Sequence, residues 1–106
     1  EARTRLESRV DQILVHFDVD VIDCRDFPAA DFLHEHGLTF DEAMATLRIF
    51  TRSSKFVGLV ITEFNSERDP DGRLARRLVD ALVPILVDYA SHKSEPRIHT
   101  DERRSA

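Results

Sequence analysis

Two apolar runs, residues 13–19 and 56–64, constrain this chain more than any other feature. Both are rich in β-branched and aromatic residues. Both are apolar almost throughout, as expected of inner strands of a parallel sheet covered on two faces. Between them lies a helical pattern. Thr39 is placed to cap it, and Glu42, three residues on, completes a capping box. Phe40, Ala43, Met44, Leu47 and Phe50 then fall on one face. Strand, helix and strand in this order predict a parallel pair joined by a crossover helix. Two inner strands make no stable sheet alone, so burial predicts that the chain is part of a larger α/β fold.

Further helices are predicted on either side. Leu6, Val10 and Ile13 recur at helical spacing, which predicts a helix over 2–11. Leu74, Leu78, Leu82, Ile85, Leu86 and Tyr89 predict a last helix over about 72–91, bent at Pro84. Asp69-Pro70-Asp71-Gly72 marks the turn before it. A long connection, residues 20–37, has no clear period and is expected to be functional. Residues 1–92 read as one domain portion, and 93–106 as a charged, flexible tail.

Charge narrows the function. With 20 acidic and 15 basic residues, the net charge is -5, which argues against nucleic-acid binding. Arg73, Arg76 and Arg77 read as a solvated helix face. No apolar run is long enough to span a membrane. A single cysteine, Cys24, excludes an internal disulfide and a paired-cysteine zinc site. A reducing compartment, the cytoplasm, fits. The chain starts with glutamate rather than methionine, as a processed or cut piece would.

The chemistry is expected at the strand ends, where open α/β sheets bind ligands. The first run closes on Phe17-Asp18-Val19-Asp20-Val21-Ile22-Asp23 and the second on Thr62-Glu63. If the strand continues through them, Asp18 and Asp20 share a face. Paired carboxylates repel unless a cation lies between them, and hard divalent cations such as Mn2+ or Mg2+ suit three converging acids. Capping helices or pairing with arginines is the other use open to them, and for Glu63 the two readings balance. Asp23 reads as a loop-ordering residue. His34 and His36 read as solvated loop residues, either of which could shuttle a proton, and Cys24 as a small loop residue.

Taken together, Phe17-Asp18-Val19-Asp20-Val21-Ile22-Asp23, Gly37-Leu38-Thr39 and Gly58-Leu59-Val60-Ile61-Thr62-Glu63-Phe64-Asn65, followed by Asp69, resemble the C-terminal part of the arginase/agmatinase (ureohydrolase) family. The resemblance spans residues 13–90. It implies a three-layer α/β/α fold with a binuclear manganese site. Asp18 and Asp20 fall on two metal-binding aspartates, with Asp20 also catalytic, and Glu63 falls on the carboxylate that receives the substrate's guanidinium. The implied reaction is hydrolysis of a guanidino or amidino C–N bond, with a metal pair supplying hydroxide at neutral pH. A homo-oligomer is implied too. The family's remaining ligands lie in segments that this chain lacks, so an N-terminal remainder of the same protein must supply them. The family's T-G-T-P pocket run is replaced by Ala30-Asp31-Phe32-Leu33, and His16 stands for a small hydroxyl residue. Two alternatives remain: a haloacid-dehalogenase-like phosphatase, with Asp18 as nucleophile and Asp20 as acid/base, and a catalytically silent subunit.

Overall fold

The structure is a computed structural model that describes residues 1–93; apart from the backbone of Lys93, the expected tail lies outside the described residues. In chain order the elements are α1 (Ala2–Glu7), β1 (Ile13–Asp18), α2 (Phe40–Thr51), β2 (Phe56–Thr62) and α3 (Arg73–Lys93). Single 3-10 turns occupy Val19–Val21 and Ser66–Arg68. The strands pair in parallel, with Phe17 opposite Ile61 and Asp18 opposite Thr62. Both strand ends therefore reach the same rim.

Local chemistry explains the boundaries. The Thr39 hydroxyl accepts from the Glu42 amide at 3.0 Å, and the Glu42 carboxylate accepts from the Thr39 amide at 2.9 Å, so α2 starts on the expected capping box. The first helix stops at Glu7 rather than continuing to residue 11. There Lys55 donates to the carbonyls of Glu7 and Val10, removing the need for helical partners. At the start of α3, Asp69 accepts from the amides of Leu74 and Ala75, both at 2.8 Å. Pro84 sits inside α3, which runs on past it.

One core joins the inner side of the sheet to both long helices. Phe17, Val19, Ile22, Phe27, Phe40, Met44, Leu47, Leu74, Leu78, Leu82 and Ile85 are all buried in it. Tyr89 extends the stripe, its ring edge-on to Phe56 at 4.9 Å. Leu86, expected on that stripe, is exposed instead. The strands are likewise not covered on two faces by this chain alone. Ile13, Phe17 and Phe56 point into the core, while Leu14 is 63% exposed and Val57 and Val60 are also open. Among the described residues, no helix is long and apolar enough to cross a membrane.

Candidate functional site

The rim is built by two strand ends that leave extended geometry in different ways. β1 stops at Asp18, and the chain turns at once into the 3-10 segment Val19–Val21. Asp18 Oδ1 accepts from the Asp20 amide at 3.0 Å, and Val19, fully buried, pins the turn. Strand alternation, which requires the strand to continue, is therefore not what brings Asp18 and Asp20 together. A side-chain-capped turn does it.

β2 ends at Thr62 rather than at residue 64 because Glu63 has a φ of 70°, in the left-handed region that an unbranched side chain enters only at a cost. A strap of the long connection holds it there. The Asp31 amide donates to the Glu63 carbonyl at 2.9 Å, and the Asn65 amide to the Ala29 carbonyl at 3.0 Å. Ala30 and Phe64 form an antiparallel bridge between these bonds. Residues 29–31 thus lie against 63–65.

The strap delivers a fourth acid, Asp31, which the site reading did not include. Asp31 lies near enough to the Glu63 carboxyl to act on it. Burial, followed by repulsion from Asp18, Asp31 and Asp20, raises the Glu63 carboxyl above its ordinary range. Asp20 is also raised, by burial first and then by its contact with Asp18; Asp31 adds to this and His34 opposes it. Asp18, Asp20, Asp31 and Glu63 therefore share one electrostatic neighbourhood. The available signal for Asp31 was its place in the segment that replaces T-G-T-P.

The rest of the connection is tied down by carboxylates. Asp23 accepts from the Arg25 amide and Nε, both at 2.9 Å, from the Arg25 guanidinium again at 2.6 Å, and from the His36 amide at 2.8 Å. Arg25 above all holds its carboxyl far below the usual carboxylate range. The loop-ordering role read for Asp23 is borne out. Gly37 passes so close to the turn that a Cβ there would lie 2.5 Å from the Val21 carbonyl oxygen, which explains a glycine before Leu38-Thr39. Arg77 does not behave as a solvated residue. It donates to the Asp26 carbonyl at 2.7 Å and to the Asp26 carboxylate at 3.2 Å, with its guanidinium 4.0 Å above the Phe40 ring.

Carboxylates are suitable donors for a hard divalent cation, and Asp18 and Asp20 fit that chemistry. Among the described residues, however, no group of three His, Cys, Asp or Glu side chains converges on a point where an ion could be held.

No curated protein sequence matches the chain. Solved structures do. The arginase of Helicobacter pylori superposes with a TM-score of 0.70 at 20% identity over 81% of this chain and 30% of that one. Formimidoylglutamase from Bacillus subtilis gives 0.71 at 22% identity over 78% of this chain and 26% of that one. A hypothetical agmatinase from Burkholderia thailandensis gives 0.68 at 21% identity over 90% and 31%. The chain thus has their α/β fold and spans less than a third of their length. The family model described as "Arginase family" matches residues 1–86, which takes in both strands, the long connection and every acid of the rim. With most of its length under that match, the chain belongs to the arginase family.

Proposed function

We propose that this chain is the C-terminal portion of a manganese-dependent hydrolase that cleaves the C–N bond of a small guanidino or amidino compound. In this reading Asp18 and Asp20 are ligands of a two-manganese centre, and Glu63 receives the substrate cation. The observation that carries it is the meeting of these three acids at one rim, where burial raises both Glu63 and Asp20, Asp18 adds to each, and Asp20 adds to Glu63. Repulsion of this kind is relieved by cations, and two kinds are called for: metal at the Asp18–Asp20 turn and an amidinium at Glu63.

When bound, the metal pair supplies Lewis acidity and a water of lowered pKa. The chain's own residues do the rest. Glu63, fixed by its unusual backbone, takes charge-assisted hydrogen bonds from the amidinium and holds the trigonal carbon still. Asp20 would accept a hydrogen bond from the attacking water. Water adds to that carbon, the C–N bond breaks, and the departing amine takes up a proton, leaving urea or a related amide.

The remaining ligands come from the N-terminal remainder of the same protein, with residues 1–92 completing the domain and 93–106 forming a charged tail. A cytoplasmic location fits the lone Cys24, and a homo-oligomer is what the family resemblance implies. The phosphatase alternative has no support in the family match.

The test uses the full-length protein, Mn2+ and a panel of guanidino and formimino compounds. Asp20→Asn is expected to lower urea or formamide release by at least about a hundredfold and to reduce bound manganese, as loss of a ligand does. Unchanged turnover in Asp20→Asn would overturn the assignment, and a wild-type protein that takes up no manganese would point to the silent subunit.

A further inference from the structure

We infer that Arg77 is a positioning residue for the rim, acting through Asp26 to set where Asp31 and Glu63 stand. Arg77 lies on α3. Both guanidinium nitrogens reach one residue: Nη1 donates to the Asp26 carbonyl at 2.7 Å and Nη2 to its carboxylate at 3.2 Å. The other oxygen of that carboxylate accepts from the Phe40 amide at 2.6 Å, at the first turn of α2. The guanidinium also covers the Phe40 ring at 4.0 Å. One side chain thus clasps α3, α2 and the connection at a single point.

The clasp transmits to the rim through packing. Phe27, next to Asp26 and fully buried, stacks on Phe40 with centroids 5.7 Å apart and leans on Phe64 at 6.2 Å. Phe64 directly follows Glu63. From Phe27 the connection runs through Pro28 into the strap of residues 29–31, which holds the Glu63 backbone and ends in Asp31. Both carboxylates on the substrate side therefore take their positions from a stack that begins at Arg77. Asp18 and Asp20 are held separately, by the turn at the end of β1. Releasing the clasp should disturb substrate binding and leave metal binding intact.

This inference rests on the substrate role proposed for Glu63, and its test keeps the two apart. The full-length wild type, Arg77→Met, Arg77→Lys, Asp26→Ala and the Arg77→Met/Asp26→Ala double variant are compared by hydrogen–deuterium exchange, manganese content and steady-state kinetics on the guanidino and formimino panel. In Arg77→Met and Asp26→Ala, exchange of amides in 24–36 should rise about tenfold with β1 and β2 unchanged. KM should rise about tenfold, with kcat within about twofold and manganese content unaltered. Arg77→Lys, which keeps the charge and loses the two-point grip, should fall between wild type and Arg77→Met. The double variant should be no worse than the more affected single variant. Exchange that is unchanged, or that rises equally in the strands, overturns the inference, as does an unmoved KM beside a loosened connection. A wild type that turns over no compound of the panel fails the proposed function instead, and the exchange pattern then judges the clasp by itself.

Discussion

Asp23 shows how much one side chain organises here. Its two oxygens collect four donors from Arg25 and His36, two residues that lie on a connection with no regular hydrogen bonding of its own. Arg25 foremost keeps the Asp23 carboxyl well below the range it has in an unfolded chain. A carboxyl lowered on folding stabilises the fold at pH values above the ordinary value, about 3.9, and that contribution disappears as pH falls below it. Asp23→Asn should therefore be less stable than wild type in urea melts at pH 7, with the gap shrinking steadily below about pH 4. A gap of the same size at pH 3 would remove the carboxylate from the explanation. The role of Asp23 was legible in the sequence because its partners lie on the same connection, Arg25 only two residues on. Arg77 was not, because its partner Asp26 lies 51 residues away and nothing in the local spacing distinguishes it from Arg73 or Arg76. Asp31 was hidden for the same reason: it matters only once the strap folds back onto Glu63.

At the level of elements, the helices were legible wherever their caps are encoded nearby. Thr39 with Glu42 announced the start of α2, and the structure has that box. The start of α3 depends on a less obvious device. Asp69, itself buried, reaches forward to two amides of the first turn, and the intervening Gly72 takes a left-handed φ of 72° to allow it. Removing those acceptors with Asp69→Ala should cost about 1–2 kcal/mol in denaturant unfolding, the usual cost of losing a helix cap. A loss under about 0.3 kcal/mol would mean that water replaces the cap at no cost. The strand ends were less legible. Hydrophobic pattern alone extends β1 to residue 19 and β2 to residue 64, whereas both stop earlier, at the first carboxylate after Phe17 and before Glu63. Backbone geometry ended them: a 3-10 turn in one strand and a left-handed residue in the other. Those same two departures create the rim, so the strand boundaries that pattern misses are where the candidate chemistry lies.

For the whole molecule, the two-stranded sheet with one covered face matches a piece of a larger domain. Leu14, Val57 and Val60 form an apolar surface on the outer face, bounded by the His16–Thr62 hydrogen bond of 2.8 Å. An inner strand of a three-layer fold has no use for such residues unless another layer lies on them. In the full-length protein Val60→Asp should cost about 2 kcal/mol or more, since it removes a buried apolar side chain and buries a charge. A cost near zero in urea melts would mean that this face meets solvent. This need for outside strands was legible from the two apolar runs alone. Which surfaces of α3 are covered was not, since Val79, Val83 and Val87 recur at helical spacing as regularly as the core stripe does and yet are exposed.

The left-handed backbone at Glu63 sets the terms on which this rim can be redesigned. Valine, isoleucine and threonine are all but barred from that torsion, and even alanine pays for it. Glycine and asparagine accept it readily, yet each discards the carboxylate. Few replacements at position 63 therefore keep both shape and charge. On the proposed reading, selection for a new substrate has more freedom at Asp31, whose side chain can be exchanged while the strap's main-chain bonds stay as they are.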